Sequence, residues 1–301
     1  PQAFRRQGWF AARIGKLYHY NVPKSIGTNG HDDPASWELE LNPAGVDRLD
    51  EEPKIFSLTP RQFGGTLSWY ASPKSDEHHT DAIEAEDAEW VLERCAKRKD
   101  RPFFLAVGFF RPHTPYVAPQ KYFDLHPREQ MRVVQGVKED QADLPPAALG
   151  SYKKEQDKLT DDLRREALQA YSASISFMDA QVGRVIAALD RLGLAENTII
   201  VFTSDHGYHT GEHGLWQKQS LFENSARVPL LIVAPGVAKP GTAAPTPVSH
   251  LDLYPTLAEL TGIKAPDNLK GQSLVPILTN VATKGRGWAL TQVMRGGAGG
   301  G

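Results

Sequence analysis

Cysteine is almost absent from this sequence, since Cys95 is the only one among 301 residues. A single cysteine excludes an internal disulfide framework. Because Cys95 lies in the charged run LERCAKRKD at the end of a predicted helix, a half-buried structural thiol is favoured over a nucleophile. Long apolar runs are missing too, and none approaches the roughly 18 residues of a membrane-spanning helix.

An excess of charge of either sign is also missing. The net charge is −2 at pH 7, and basic and acidic residues are mixed along the chain rather than grouped in blocks. This pattern excludes a nucleic-acid-binding protein that depends on a broad basic surface. Affinity for phosphate or sulfate therefore requires a local cluster of side chains. With 40% hydrophobic residues, the chain is long enough for one large globular core.

Apolar runs alternate with amphipathic segments along the chain. Buried strands are predicted for three runs of mainly apolar residues, at 102–110, 198–203 and 228–236. Helices are predicted at about 80–99, at 161–192 with Gly193 as a stop, and at 250–262 ending in Gly262. Residues 21 to about 80 are rich in Pro, Gly, Asn and Asp and are predicted to form surface loops. The alternation predicts an α/β fold with a mostly parallel sheet sandwiched by helices.

The densest group of chemically active side chains lies in SDHGYHTGEHGLWQK, residues 204–218. Residues 209–213 spell H-x-x-E-H, which zinc peptidases place on a helix so that both imidazoles face the metal. Glycines within and beside this segment oppose a helix, because each costs about 1 kcal/mol relative to alanine, so the peptidase interpretation is disfavoured. Asp205 and His206 instead follow a predicted strand, at the carboxyl end where open α/β sheets bind ligands.

Five segments closely resemble the sulfatase family: IGKLYH at 14–19, PFFLAVGFFRPHTPYVAP at 102–119, SFMDAQVGRVIAALDRLGL at 176–194, TIIVFTSDHGYHTGEHGLWQKQSLFENSARVPLLIVAPG at 198–236 and LDLYPTLAELTG at 251–262. Within the family they are most similar to the iduronate-2-sulfatase-like branch, in the alkaline-phosphatase superfamily. The resemblance implies an alkaline-phosphatase-like fold and, in the full-length parent, hydrolysis of sulfate esters, with a sulfated carbohydrate as the expected substrate.

The family's nucleophile motif does not occur in this sequence. Sulfatases of this type convert a cysteine or serine in C/S-x-P-S-R to formylglycine, whose hydrate attacks the ester, and neither spelling is present. The resemblance implies that the nucleophile, its arginine and two metal-binding aspartates precede Pro1. It also implies a formylglycine-generating or equivalent maturation enzyme as partner of the full-length protein. We expect the chain alone to be inactive, because none of its matched side chains is a recyclable oxygen nucleophile.

The same resemblance sets the expected boundaries. Residues 1–280 match an incomplete catalytic domain, and residues 281–301 the truncated start of a C-terminal region. The expected fold thus lacks its N-terminal strand and most of the small C-terminal domain. Resemblance to the family implies a periplasmic or secreted bacterial protein. The absence of an Asn-x-Ser/Thr sequon favours a bacterial protein over a glycosylated lysosomal form.

A single divalent cation, by resemblance calcium, is the implied cofactor besides formylglycine. Asp205 and His206 match two of its ligands. A dication polarises the sulfate oxygens and lowers the barrier to attack on sulfur. Because calcium prefers oxygen ligands, a histidine in the shell leaves the identity of the metal open.

The catalytic positions of the family are matched by Lys16, His19, His113 and Lys218. Lys16 is expected to hold the formylglycine hydrate and the sulfate charge, and His19 to take a hydroxyl proton so that sulfate is expelled. His113 matches the sulfate or leaving-group histidine, and Lys218 matches the sulfate-contacting lysine. Both are therefore also expected to bind substrate.

Other polar residues of the motifs receive smaller roles. Glu212 and His213 are candidates for lining the substrate pocket, whereas His209 is expected to shape its loop. Three further histidines are assigned to the surface: His78, His79 and His126.

Two alternative functions remain open. A phosphodiesterase or phosphonate monoester hydrolase of the same superfamily acts on an ester of similar shape, although no second His/Asp ligand set is recognisable. A non-catalytic binding fragment is the other alternative, because the nucleophile motif is missing. The sequence does not identify the sulfate ester, the oligomeric state, or whether the nucleophile is derived from cysteine or serine.

Overall fold

A computed structural model describes residues 1–293 of the chain. Residues 294–301, and with them the end of the predicted C-terminal region 281–301, lie outside the described residues. The chain forms two compact units. The first unit comprises Pro1–Asp143, Tyr152–Gly193 and Thr210–Trp216, and the second comprises Leu144–Ser151, Leu194–His209 and the chain from Gln217 onward.

The strands of the first unit form two sheets. In chain order they are β1 (Phe10–Gly15), β2 (Leu39–Leu41), β3 (Phe56–Ser57), β4 (Ser68–Ser72), β5 (Phe103–Gly108) and β6 (Tyr116–Pro119). In one sheet, β1 pairs in parallel with both β2 and β5. In the other, β4 pairs in parallel with β6 and antiparallel with β3. Because β1 and β5 are parallel, their carboxyl ends lie side by side at one edge of the first sheet. The candidate site described below lies at that edge.

The helices of the first unit are α1 (Gln2–Arg6), α2 (Val46–Leu49), α3 (Thr80–Lys97), α4 (Gln120–Asp124), α5 (Val137–Gln141) and α6 (Asp161–Arg191). The helices predicted at 80–99 and 161–192 are confirmed as α3 and α6. Thr160 caps α6, because its side-chain oxygen accepts a hydrogen bond from the Leu163 amide. Gly193 follows the last turn with φ +65°, a left-handed conformation that glycine adopts without strain.

Each long helix covers a sheet with small side chains. On α3, Ala88 and Val91 pack against Ala12 and Ile14 of β1, and all four side chains are buried. Cys95 belongs to the same cluster and is 9% exposed, and burial raises the pKa of its thiol. A raised pKa lowers the thiolate fraction at neutral pH, which agrees with a structural thiol, although the side chain is buried rather than half-buried.

The segment predicted as surface loops, residues 21 to about 80, is more ordered than expected. It contains β2, β3, β4 and α2, and it contributes buried side chains such as Trp37, Leu67 and Trp69. The prediction of loops is wrong here, because strands of two to five residues are too short to show a sustained period.

The second unit contains β7 (Ile200–Thr203), α7 (Glu223–Ala226), β8 (Leu230–Val233), α8 (Leu253–Thr261) and α9 (Val275–Thr279). β7 and β8 pair antiparallel. Full burial of the three apolar runs was a wrong prediction. The side chains of β5 and β7 are only partly buried, and Leu231 and Val233 of β8 are 56% and 51% exposed. The reason is that an apolar run does not specify how many layers cover it, and along β8 half-covered and exposed side chains alternate.

The α/β class with parallel strands and helices is confirmed, although the β7–β8 pair departs from the parallel pattern. The helix predicted at 250–262 is present as a 3₁₀ turn at His250–Asp252 followed by α8, and Gly262 ends it with φ +68°. No helix within residues 1–293 combines the length and the apolar content that a membrane crossing requires.

Candidate active site

Lys16 and His19 lie at the carboxyl end of β1, beside the end of β5. The two strands are parallel and in register from Phe10 opposite Phe103 to Gly15 opposite Gly108. The Lys16 amide donates to the Gly108 carbonyl oxygen at 2.6 Å, which fixes the backbone of Lys16 on the neighbouring strand. The rings of His19 and His113 have centroids 6.1 Å apart. The structure thus places the backbone of Lys16 and the neighbouring rings of His19 and His113 at one edge of a parallel sheet.

Glycine is required where these two strands end. A β-carbon on Gly108 would overlap the Lys16 carbonyl group, and one on Gly15 would overlap the Gly108 carbonyl oxygen and the Glu84 carboxyl group. Gly15 also has φ +67°, which other residues adopt only with strain. The close approach of the two backbones therefore depends on both glycines.

His113 lies in a loop that follows β5 and contains two cis peptide bonds, Arg111-Pro112 and Thr114-Pro115. Its Nδ1 is 2.7 Å from the Thr114 carbonyl oxygen. Because a carbonyl oxygen only accepts, Nδ1 carries the proton, and Nε2 is the atom that gains or loses a proton when the ring titrates. The Thr114 hydroxyl donates to the Gly64 carbonyl oxygen at 2.6 Å, which ties this loop to the segment before β4.

Asp205, His206 and Lys218 form a second cluster, in the second unit after β7. His206 Nδ1 is 2.9 Å from the Gly207 carbonyl oxygen, so Nδ1 donates and Nε2 is the accepting atom. Lys218 Nζ lies 2.9 Å from that Nε2, and Asp205 Oδ2 lies 3.3 Å from it. Of the three side chains predicted for metal and sulfate contact in this unit, His206 thus contacts both of the others.

The fit of a cation to Asp205 and His206 can be judged from these contacts. A carboxylate oxygen and the accepting nitrogen of a neutral imidazole are both metal-ligand atoms, and they lie close enough to face one ion. They supply part of a coordination shell, because within residues 1–293 no group of three or more His, Cys, Asp or Glu side chains can hold a metal. The ammonium of Lys218 competes for the same nitrogen.

Glu212 and His213 belong to a turn of the first unit rather than to a helix. The Glu212 carboxylate accepts the Thr210 amide at 2.7 Å, and His213 Nδ1 is 2.8 Å from a carboxylate oxygen of Asp140. His213 has φ 56° inside a 3₁₀ turn, so the rejection of a helical H-x-x-E-H zinc motif is confirmed. A role of Glu212 and His213 in binding substrate stays a prediction.

His209 is fully buried in the second unit. Its Nε2 is 2.7 Å from the Ser220 hydroxyl, and its ring meets Phe222 edge-on at a centroid distance of 5.8 Å. These contacts hold Ser220 and His209 together within the loop, as expected for a residue that shapes it.

His79 was wrongly assigned to the surface. It is 1% exposed at the start of α3, where its Nδ1 donates to the Ser75 carbonyl oxygen at 3.0 Å and its ring packs on Phe177. The error arises because a helix-capping position is polar in sequence whether it faces solvent or core. His78 is exposed as expected, whereas His126 is half-buried and contacts the Ser176 hydroxyl at 2.8 Å.

A buried ionic group beneath the His113 loop was missed altogether. Arg111 donates to Asp47 at 2.6 Å, with both side chains 2% exposed. Asp81 and Glu84, one helical turn apart on α3, are also buried. A signal did exist in the sequence, because these acids share one face of the helix with Ala85, Ala88 and Val91, a face that the periodicity marks as buried.

Burial dominates the titration of these acids. It raises the pKa of Glu84 well above its ordinary value, and the charges of Asp81 and Asp47 raise it further while Arg111 opposes them. Burial also raises the pKa of Asp81, again opposed by Arg111. Burial first, and then the charge of Glu84, raise the pKa of Tyr20 to about 12. Burial therefore favours the protonated form of Glu84, at the base of this site.

Comparison with known proteins identifies the fold. The phosphonate monoester hydrolase of Agrobacterium radiobacter superposes with a TM-score of 0.71 at 24% identity, covering 94% of this chain and 62% of that one. At this identity the likeness shows the fold alone. It defines an alkaline-phosphatase-like scaffold, in agreement with the helices and parallel strands of the first unit.

Sequence comparison identifies the family. Residues 3–263 match the family model described as Sulfatase. A sulfatase of Formosa agariphila is 35% identical over 285 residues, covering 92% of this chain and 55% of that protein. The iduronate 2-sulfatase of Mus musculus is 31% identical over 306 residues, covering 88% and 54%. The chain belongs to the sulfatase family. It spans about half the length of these curated relatives, with shares of 55% and 54%.

Proposed function

We propose that the protein containing this chain hydrolyses sulfate esters, with a sulfated carbohydrate as substrate. The observation that carries the proposal is the grouping of Lys16, His19 and His113 at the carboxyl edge of a parallel sheet in a member of the sulfatase family. One ammonium and two imidazoles fit a reaction that binds an anion and moves two protons.

The proposed roles follow from the chemistry of ester cleavage. When the bond between sulfur and the ester oxygen breaks, the departing oxygen needs a proton, and His113 donates it from Nε2 because Nδ1 is occupied by the Thr114 carbonyl group. The ammonium of Lys16 stabilises the sulfate charge, and His19 removes a hydroxyl proton in the step that releases sulfate. For Lys218, in the second unit, contact with sulfate is proposed from family likeness.

A divalent cation, calcium by family likeness, is proposed to be held in part by Asp205 and His206. When bound, it withdraws electron density from the sulfate oxygens. The carboxylate of Asp205 suits a hard cation, and the Nδ1–H tautomer of His206 leaves Nε2 as the ligand atom. Glu212 and His213 are proposed to line the substrate pocket.

The nucleophile is proposed to be a formylglycine in a longer chain, made by a maturation enzyme, because C/S-x-P-S-R is not in these residues. In that longer protein, residues 1–280 belong to the catalytic domain and residues 281–301 begin a further region. We propose a periplasmic or secreted location. For the 301-residue chain alone we expect no formylglycine-dependent turnover.

The test uses the longer protein that includes the upstream motif. Phenyl sulfate and phenyl phosphate are assayed with and without calcium, for the parent, His113→Ala and Lys218→Ala. Turnover of the sulfate that needs calcium and falls by roughly 100-fold or more in both variants is expected, the scale for loss of a proton donor or a charge stabiliser. His78→Ala is the matched control, since His78 is exposed and outside the site.

A phosphonate or phosphate ester hydrolase is the second candidate, favoured by the shared scaffold with the Agrobacterium enzyme. Preference for the phosphate ester, or indifference to both substitutions, would overturn the sulfatase proposal.

A further inference from the structure

We propose that Arg111, held by Asp47 and Asp81, is a positioning residue that fixes the His113 loop for proton transfer. The inference rests on the proposed function for its kinetic consequence. Its structural content, that one buried ionic group sets the place of the His113 ring, can be tested without any turnover.

Arg111 and Asp81 hold the loop at both of its ends. At the start, the two oxygens of the Asp81 carboxylate accept the backbone amides of Phe110 and Arg111, each at 3.0 Å. At the far end, Nε of Arg111 donates to the Val117 carbonyl oxygen at 2.8 Å. His113 lies between these two attachments, which limit how far its backbone can shift.

The same group is anchored to a helix. Arg111 Nη2 donates to Asp47 Oδ2 at 2.6 Å, and the other oxygen of Asp47 accepts both the amide and the hydroxyl of Thr80, at 2.9 and 2.7 Å. Thr80 and Asp81 are the first residues of α3, a helix that packs on β1. The loop is therefore anchored to α3, the same helix that packs on β1, the strand that Lys16 directly follows.

Packing alone does not explain why these three charged side chains are buried. Arg111, Asp47 and Asp81 are 4%, 2% and 1% exposed, and burying ions is often no more stabilising than apolar residues of similar volume. The charged groups instead fix the orientation of the Arg111 side chain. Its planar guanidinium donates to Asp47 and to the Val117 carbonyl group in a geometry that a lysine does not reproduce.

The orientation of the His113 ring depends on the clamped segment. Its Nδ1 bonds to the carbonyl oxygen of Thr114, a residue inside the loop, so a displaced loop carries the imidazole with it. A misplacement of a reacting group by about 1 Å costs on the order of 100-fold in rate. Loosening Arg111 should therefore slow proton donation by His113 while leaving substrate binding largely intact.

The kinetic test uses the longer protein with Arg111→Lys and, as a second variant that keeps side-chain volume, Asp47→Asn. With phenyl sulfate, whose leaving group needs a proton, kcat should fall by about 10- to 100-fold with little change in KM. With 4-nitrophenyl sulfate, whose leaving group departs without one, the loss should be several-fold smaller. In a His113→Ala background neither substitution should lower kcat by more than about 2-fold. Equal losses for both esters, or losses that multiply with His113→Ala, would overturn the proposal.

A spectroscopic test separates this inference from the proposed function. The nitrogen and ring-proton NMR signals of His113 are compared in the parent, Arg111→Lys and Asp47→Asn. The matched control is Arg101→Lys, because Arg101 also pairs with an acid, Glu38, and donates to backbone carbonyls, but at the opposite end of β1. Shifted His113 signals in the first two variants and not in the control are expected. Unshifted signals in folded variants would refute the inference even if sulfatase activity is found, and shifted signals would support it even if no sulfate is hydrolysed.

Discussion

Replacing Glu84 with glutamine should remove a pH-dependent loss of stability. Glu84 is fully buried, and neither carboxyl oxygen has a hydrogen-bond partner among the described residues. Burial raises the pKa of this group well above its ordinary value of 4.5. The folded protein therefore binds this proton more tightly than the unfolded chain does, and the free-energy cost of burying the group depends on pH.

The sign and size of this pH dependence of the free energy of unfolding follow from proton linkage. Above pH 4.5, the ordinary pKa of Glu84, the folded state binds more protons than the unfolded state. The free energy of unfolding then falls as pH rises, by about 1.4 kcal/mol per pH unit, until the raised folded-state pKa is reached. Glutamine does not titrate, so Glu84→Gln lacks this loss. The buried amide has a cost of its own, but that cost does not change with pH.

Urea unfolding of the parent and of Glu84→Gln, followed by circular dichroism between about pH 5 and pH 8, measures the difference in their free energies of unfolding. The advantage of Glu84→Gln should grow from pH 5 upward by up to about 1.4 kcal/mol per pH unit, and it should level off once the raised folded-state pKa is passed. Other titrating groups around Glu84 are common to both proteins and largely cancel: Tyr20, Asp47, Asp81, Asp87 and Arg111. Glu86→Gln, an exposed change on the same helix, is the control. A stability difference that is constant over this pH range would refute a buried neutral Glu84.

Two further substitutions test local packing and capping. Gly108→Ala should lower stability by about 1–3 kcal/mol and reduce activity, because the added methyl group overlaps the Lys16 carbonyl group. Gly183→Ala is its control, since its methyl group meets nothing within 4 Å and should stabilise α6. Thr160→Ala should cost about 1 kcal/mol by removing the cap at the Leu163 amide, and Thr160→Ser should retain most of it. Thermal melts measure all four, and a Gly108→Ala protein as stable as the parent would contradict the close strand approach.

The elements predicted well from sequence are those whose pattern is long. The 31 residues of α6 give enough turns for the period to stand out, and a glycine marks the end. β3, with two residues, gives no such signal. Pairing direction is a further limit, because the apolar runs of β7 and β8 look the same whether the strands run parallel or antiparallel. Only the chain path between the strands decides it.

Proximity within the candidate site was partly predictable. The rule that ligands bind where parallel strands end anticipates Lys16 beside the His113 loop, since β1 and β5 carry them. The buried ionic group was not anticipated, because Asp47 and Arg111 lie 64 positions apart, in a four-residue helix and in a loop, and neither is long enough to show a period. Contacts of this kind come from tertiary pairing, and the sequence marks only one partner, on the inner face of α3.

The positions of Lys16 and His113 are set by different physical means. Lys16 follows a strand directly, so register with β5 and the two glycines place its backbone without help from side chains. The loop of His113 leaves the sheet after Gly108 and lies between β5 and β6, outside the strand pairing of either sheet. Side-chain hydrogen bonds must therefore position this loop, as strand pairing positions the backbone of Lys16. That requirement explains why the charged residues Arg111, Asp47 and Asp81 are buried beneath this loop at a desolvation cost that packing alone does not require.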